Sequence, residues 1–323
     1  MTKAIRMHHT GGPEVLVYED MPRPEPGPAE VRVRHEAIGL NYIDIYFRTG
    51  LYRAPALPAI IGQEGAGVVS EIGSEVTDFA IGDRVAYAGP LGAYAAERVI
   101  AADRLVKLPD SVSCEAAASL MLQGLTAHYL LHRTHKVQPG ETILVHAAAG
   151  GVGLLLCQWA KHLGATVIGV VSTAEKAALA QAHGATHTII GTQTLAADVK
   201  RLTSGAMVPV VYDSVGRDTF AVSLDCLAPL GLMVSFGNAS GPVPPIDISV
   251  LSAKGSLFLT RPTLATYTAK RADLQAGAAA LFAAVAAGVL VAQINQRFAL
   301  ADAADAHRAI ESRATTGSTV FIP

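Results

Sequence analysis

Cysteine is scarce in this chain. Its 323 residues include only 3, Cys114, Cys157 and Cys226, and they lie far apart. So sparse and odd a set builds no disulfide framework, cannot fill a four-cysteine zinc lobe, and points to a reducing compartment. Charge is scarce too: 16% of residues are charged, and the net charge is -2. Nothing basic enough for nucleic acid and no charge run suited to a membrane surface is present. Met1 to His9 holds no apolar signal core. The alanine-rich stretch Ala276 to Ala292 is broken by Gly277 and Gly288 and has charges nearby. It reads as a buried helix rather than a membrane span. The expectation is a cytoplasmic protein.

What is abundant is apolar material, 50% of residues. That is enough for well-buried cores, and the length suits two domains. The first third is β-like. Val31 to Arg34 alternates apolar and polar, and Gly65 to Ile72, Asp83 to Tyr87 and Gly92 to Val99 are short apolar runs punctuated by glycine. This is the pattern of an irregular barrel. Helical signals start at Ser113, a plausible N-cap. From Glu141 strands and helices alternate: six short apolar strands, at 142–146, 166–171, 187–190, 208–213, 232–236 and 256–260, with helices between most of them. That alternation predicts an α/β, doubly wound parallel sheet. A last strand, Ser318 to Ile322, cannot easily join the finished sheet. It is expected to rejoin the first domain, giving domains at 1–124 plus 266–323 and at 125–265. The apolar edge Ser256 to Thr260 invites pairing with a second copy, and so a homodimer.

The segment Ala147-Ala-Ala-Gly-Gly-Val-Gly153 follows a strand and opens a helix. That context turns a weak G-x-G-x-x-G signal into a dinucleotide-binding one. Ala148 takes the first glycine position, Gly150 the second and Gly153 the third. Gly150 lets backbone approach a pyrophosphate, and Gly153 lets helix and strand pack closely. The N–H groups of Gly151 and Val152 would face the phosphates. An NAD site places an acid at the tip of the next strand, about 20 residues on. Here the tip is Val171-Ser-Thr-Ala-Glu-Lys176. Ser172, Thr173 and Lys176 suit a 2′-phosphate and hence NADPH. Glu175 speaks against this, but it lies beyond the strand tip, where it reads as a solvated helix charge or a partner for a nearby Lys.

The chain resembles the zinc-free NADPH:quinone oxidoreductases, the zeta-crystallin-like branch of the medium-chain dehydrogenase/reductase superfamily. The resemblance spans nearly the whole chain. It rests on His8 to Leu16, Gly39 to Tyr46, Gly62 to Gly67, His146 to Gly153, Tyr212 to Gly216, Val234 to Asn238 and Glu311 to Thr315. It implies a GroES-like β-barrel domain plus a Rossmann domain, an active site in the cleft between them, and a dimer. It also implies that Asn41, Tyr42, Ile43, Asp44 and Tyr46 line the nicotinamide side, with Tyr129 near the ribose. Ser172, Thr173 and Lys176 would surround the 2′-phosphate. Val215, Phe236, Gly237, Asn238, Ser240 and Gly241 would form a wall at the later strand ends, and Arg313 would reach a cofactor phosphate. Close relatives carry a tyrosine where this chain has Gly191, a loss of about 1 kcal/mol of cofactor binding, the scale of one hydrogen bond.

In zinc-dependent relatives the counterparts of Asn41 and Gln63 are Cys and His. Asn and Gln are poor zinc ligands, and Glu64 alone cannot hold the metal, so no metal is expected. Without a Lewis acid, a quinone or an activated alkene is the natural hydride acceptor. Asn41, Asp44, Tyr46 and Tyr52 share a loop-like stretch. They read either as a polar wall orienting a quinone or as core aromatics, with Asp44 capping a helix that begins at Ile45. His8, His9, His128, His132 and His135 show no metal spacing. Cys157 reads as a buried small hydrophobe. Three activities stay open: a quinone reductase, an enone or enoyl double-bond reductase, and a non-catalytic cofactor-binding structural or RNA-binding protein.

Overall fold

The computed structural model describes residues 1–312 and 315–323. Arg313 lies outside the described residues. The chain divides into two compact units. One comprises Met1–Leu125, Thr268–Ala286 and Ala292–Pro323, the other Thr126–Tyr267 and Ala287–Val291.

The elements run in chain order. First come β1 (Thr2–Met7), β2 (Leu16–Met21), β3 (Glu30–Leu40), α1 (Tyr42–Thr49), β4 (Glu64–Ile72), β5 (Arg84–Ala88), β6 (Glu97–Ala101), β7 (Val106–Lys107) and α2 (Cys114–Tyr129). Next are β8 (Thr142–His146), α3 (Gly151–His162), β9 (Thr166–Val171), α4 (Ala174–Ala182), β10 (His187–Ile190), α5 (Leu195–Leu202), β11 (Val208–Asp213) and α6 (Phe220–Asp225). Then follow β12 (Leu227–Ser235), α7 (Ser249–Ala253), β13 (Phe258–Thr260), α8 (Leu264–Tyr267), α9 (Arg271–Ala286), β14 (Ile294–Ala299), α10 (Ala303–Glu311) and β15 (Ser318–Ile322).

In the first unit, β3 is the hub. It pairs antiparallel with β4, β6 and β15. The main sheet runs β14-β15-β3-β4-β5-β7. Val31, Val33, Ile38 and Leu40 of β3 are buried with Ile5, Met7, Val85 and Phe321 in one core. The run expected as a strand from Gly92 begins only at Glu97. Gly92 takes a left-handed φ of 114°, and a turn in which the Ala95 N–H bonds Ala93 O at 2.7 Å delays the strand. His35 sits inside this core, within 2.6 Å of Ala95 O and 2.8 Å of Tyr87 Oη. Burial pushes its pKa down to about 4, so it is a neutral packing residue.

In the second unit six parallel strands lie in the order β10-β9-β8-β11-β12-β13. Strand order reverses between β8 and β11, and in such sheets a ligand binds outside the carboxyl ends of the strands at that switch point. Leu144, Ile168, Val211 and Met233 form the centre of its core. The three cysteines are free and buried. Burial pushes the Cys157 thiol up to about 12, which leaves it inert. The alanine-rich segment forms α9, and among the described residues no helix is long and apolar enough to cross a membrane.

Candidate active site

The carboxyl end of β8 turns sharply. Ala147 adopts a left-handed φ of 51°, an uncommon state for a residue with a Cβ. Ala148 and Ala149 are buried, and Gly150 caps α3 with extended backbone. A Cβ added to Gly153 would stand 2.2 Å from Ala147 O and 2.8 Å from Ala148 Cα, so only glycine lets α3 lie this close. A Cβ on Gly150 would meet only Ala147 O, at 3.2 Å. Gly150 therefore keeps its outer side open. The N–H groups of Gly151, Val152 and Gly153 open α3 and lack intrahelical acceptors. With the helix dipole behind them they form a cradle for an anion, and these residues fit a dinucleotide pyrophosphate.

At the tip of β9, Ser172 and Thr173 are exposed. Thr173 caps α4, its hydroxyl accepting the Lys176 N–H at 3.3 Å. Glu175 folds back on its own N–H and on the Thr173 hydroxyl, which hold its carboxyl below the usual range. It is thus a helix-terminus charge rather than a strand-tip acid. A carboxylate there offsets part of the positive potential at the start of α4. Gly191 follows β10 at a left-handed φ of 78°, its N–H on Val171 O at 2.8 Å. A tyrosine there would be strained, so glycine answers a backbone need.

Opposite β8 across the switch point, β11 ends on Asp213, which is fully buried. One carboxylate oxygen accepts the N–H groups of Val215 (2.7 Å) and Gly216 (3.1 Å). The other accepts the Thr219 hydroxyl at 2.7 Å. Ser223 Oγ lies 2.8 Å from His146 Nε2 and 3.4 Å from Asp213 Oδ2, tying the end of β8 to this turn. Ser240 donates to Val215 O at 2.8 Å and accepts from Asp218 N at 3.0 Å. Its hydroxyl is spent on joining the 215–218 and 238–241 loops, so Ser240 holds the wall together from behind. Phe236, Asn238 and Gly241 are partly exposed on those loops, Gly237 is buried, and Arg261 donates to Ser235 O at 2.7 Å. With the Asn238 amide oriented to satisfy its neighbours, its oxygen accepts from Arg261 Nη2 at 3.0 Å. Tyr129 is buried and stacks on Tyr267 with ring centroids 4.3 Å apart.

In the first unit, Asn41 is the centre of a buried knot. Its Nδ2 donates to Glu64 Oε2 at 2.7 Å, and its Oδ1 accepts from Gln123 Nε2 at 3.1 Å. Glu64 Oε1 accepts the Leu122 N–H at 2.7 Å, and Ser318 Oγ holds Gln123 Oε1 at 2.9 Å. Burial pushes the Glu64 carboxyl up to about 8. Among the described residues no group of three or more His, Cys, Asp or Glu side chains could hold a metal ion.

Two expectations need correction. The stretch around Tyr46 is not a loop but α1, and Asn41, not Asp44, is its N-cap. Asp44 stands at the third helical position, where its Oδ2 accepts the Asn41 backbone N–H at 2.9 Å. β-branched and aromatic residues make this segment a weak helix former, but the carboxylate satisfies its first turn and Gly50 closes it at φ 83°. Tyr42 and Ile43 are partly exposed; Tyr46 is mostly buried and packs edge-on against half-buried Tyr52, ring centroids 5.2 Å apart.

Sequence reasoning passed over Asp213, Gln123 and the His146–Ser223 contact. An acid that ends a parallel strand, and a lone polar residue in the apolar run Leu120 to Leu125, were the signals available.

The chain is similar to known proteins along its whole length. The alcohol dehydrogenase GroES-like domain profile matches residues 27–110, and the zinc-binding dehydrogenase profile matches residues 151–283. A quinone oxidoreductase of Pseudomonas aeruginosa is 58% identical over 325 residues, covering 100% of both chains. A 2-haloacrylate reductase of a Burkholderia species is 46% identical, covering 100% of this chain and 99% of its own. The crystal structure of Escherichia coli quinone oxidoreductase complexed with NADPH superposes with a TM-score of 0.97 at 48% identity, covering 99% of this chain and 100% of that one.

Proposed function

Since the chain belongs to the zinc-independent, zeta-crystallin-like quinone oxidoreductases of the medium-chain dehydrogenase/reductase superfamily, we propose that it reduces quinones with NADPH. The observation that carries this reading is the Asn41 knot. Both ends of the amide are held by protein partners, Glu64 and Gln123, at the position to which the family resemblance assigns the cysteine of zinc-dependent relatives. Such a donor set polarises no alcohol or carbonyl as a metal would. The acceptor must therefore take hydride without a Lewis acid, and a quinone does so because reduction makes its ring aromatic.

Bound NADPH supplies the hydride; everything else falls to the chain's own residues. Gly150, Gly151, Val152 and Gly153 hold the pyrophosphate on backbone N–H groups. Ser172, Thr173 and Lys176 hold the 2′-phosphate. Val215, Phe236, Gly237, Asn238 and Gly241 form the wall beside the nicotinamide half, with Tyr129 and Ser240 supporting it from behind. Tyr42, Ile43, Asn41, Tyr46 and Tyr52 serve the nicotinamide and the acceptor. A tyrosine hydroxyl there donates a hydrogen bond to the oxygen on which charge develops. Asp44, fully buried, serves by holding Asn41. Proximity and orientation are the protein's main contribution.

The strand β13 is the last in its sheet. Phe258 is 60% exposed on it and Leu259 39%. An apolar edge of this kind supports pairing with a second copy as a homodimer.

The similarity to 2-haloacrylate reductase supports a second reading, reduction of an electron-poor alkene. An acceptor panel separates the two. With NADPH, turnover of 1,4-benzoquinone and 9,10-phenanthrenequinone far above that of alkenals, 2-chloroacrylate and crotonyl-CoA supports quinone reduction. Turnover confined to the alkenes overturns it.

A further inference from the structure

A line of buried polar side chains in the first unit has no part in the roles above. Arg48, on the last turn of α1, is 1% exposed. Its Nη1 and Nη2 donate to Glu311 at 2.9 and 2.6 Å, and its Nε donates to Gly11 O at 3.2 Å. Nη1 also lies 3.1 Å from His307 Nδ1. A guanidinium only donates, so His307 Nδ1 must be a bare acceptor and the ring proton must sit on Nε2. Nε2 is 3.0 Å from Tyr94 Oη and donates to it. Tyr94 has one hydroxyl proton, and it goes to Asp44 Oδ2 at 3.0 Å. Every bond therefore points the same way, from Arg48 through His307 and Tyr94 to Asp44.

The charges agree with this direction. Burial and the Arg48 charge push the His307 pKa down to about 3, so the ring is neutral. Burial pushes the Asp44 carboxyl up to about 7, while the hydrogen bonds from Asn41 and Tyr94 pull against that rise. Oδ2 already accepts two donors. Oδ1 has no hydrogen-bond partner among the described residues, so a proton arriving on Asp44 goes to Oδ1.

We infer that His307 and Tyr94 are positioning residues for the reaction, passing the donor capacity of Arg48 to Asp44 so that its carboxylate fixes Asn41 at the head of α1. Other titratable and charged groups face Asp44 from several elements: Arg48 on its own helix, Glu64 on β4, Tyr87 on β5, Tyr94 between β5 and β6, and His307 on α10, with Glu311 behind Arg48. Among the described residues, only the line from Arg48 delivers a hydrogen bond to Asp44 Oδ2 from outside α1 and its cap.

For its rate readout the inference rests on the quinone reductase reading; for its spectroscopic readout it rests on the fold alone. The pH dependence of kcat/KM with NADPH and benzoquinone is compared for wild type, Tyr94→Phe, His307→Leu and His307→Gln. Loss of the hydrogen bond to Asp44 raises the acid-side midpoint by about one pH unit in Tyr94→Phe, a tenfold change in proton affinity, and His307→Leu, which keeps the Tyr94 hydroxyl but no longer holds it on Asp44, raises it by less. His307→Gln keeps the wild-type midpoint, because a glutamine amide accepts from Arg48 and donates to Tyr94. Lower rates with an unmoved midpoint in Tyr94→Phe and His307→Leu indicate packing alone and overturn the inference, as does a His307→Gln midpoint that matches His307→Leu. Separately, nitrogen-15 NMR of the ligand-free protein reads the His307 ring. A neutral Nε2–H tautomer through neutral pH supports the chain. An Nδ1–H tautomer, or protonation near the ordinary histidine range, overturns it whether or not the enzyme turns over quinone.

Discussion

Two glycines three residues apart in the β8–α3 turn should fail in different ways when each gains a methyl group. At Gly153 the new Cβ would stand 2.2 Å from Ala147 O, 2.8 Å from Ala148 Cα and 2.9 Å from Ala148 C. All three are backbone atoms and cannot swing aside, so α3 must move off the end of β8. Overpacking of this kind costs about 1–3 kcal/mol, and it displaces the N–H groups proposed to hold the pyrophosphate. Gly153→Ala should therefore lose both stability and NADPH affinity. At Gly150 the nearest atom would be Ala147 O at 3.2 Å, and the backbone is extended at φ -81° and ψ 172°. Gly150→Ala should unfold within about 0.5 kcal/mol of wild type, as substitutions free of a clash do. Its methyl group projects into the space through which a phosphate approaches, so NADPH affinity should fall about tenfold or more, the worth of one charge-assisted hydrogen bond. Urea unfolding followed by circular dichroism gives the first quantity, and NADPH fluorescence titration gives the second. Gly150→Ala binding NADPH as wild type does would refute the assignment of this turn to the pyrophosphate. Gly153→Ala as stable as wild type would refute the close-approach argument.

Other consequences are as direct. Lys176→Ala should weaken NADPH binding about tenfold while leaving NADH nearly unchanged; equal losses by isothermal titration contradict the 2′-phosphate role. Burial raises both Glu64, to about 8, and Asp44, to about 7. A carboxyl whose folded pKa lies above its unfolded one favours folding while protonated. Stability should thus fall as pH rises, from about 3.8 to about 7 through Asp44 and from about 4.5 to about 8 through Glu64, by up to ~1.4 kcal/mol per pH unit for each group within its window. Glu64→Gln should flatten that slope in denaturant titrations, and an unchanged slope would exclude Glu64 as its source. Leu259→Lys places a charge on the apolar edge of β13 and should give monomers in sedimentation at micromolar concentration. A dimer that survives it uses another surface.

The Rossmann sheet was the most legible part of this sequence. Its inner strands are buried and even its edge strands are apolar, so each appears as a short apolar run, and all six runs proved to be strands of one parallel sheet. The glycine turn was legible for a similar reason, since its residues answer to local backbone geometry. The helix at Tyr42 to Thr49 was not, because its residues are weak helix formers. It is held by contacts distant in sequence, Arg48 to Glu311 and Asp44 to Tyr94. Glu175 could be settled only once its carboxylate was seen turned onto its own helix terminus. The partners of Asn41 come from β4, α2 and, through Gln123, β15. No local pattern announces a knot assembled from such distant segments. The direction of the bonds from Arg48 to Asp44 is a property of atoms, invisible until the distances are known.

The proposed function turns on a hydride acceptor reduced without a metal. The most direct measurement is NADPH oxidation with 1,4-benzoquinone by protein dialysed against a strong chelator, with metal content determined on the same sample. Full turnover at less than about one-hundredth of a zinc per chain, unchanged when zinc is added back, is the predicted result. Activity that disappears on chelation and returns with zinc would contradict the account.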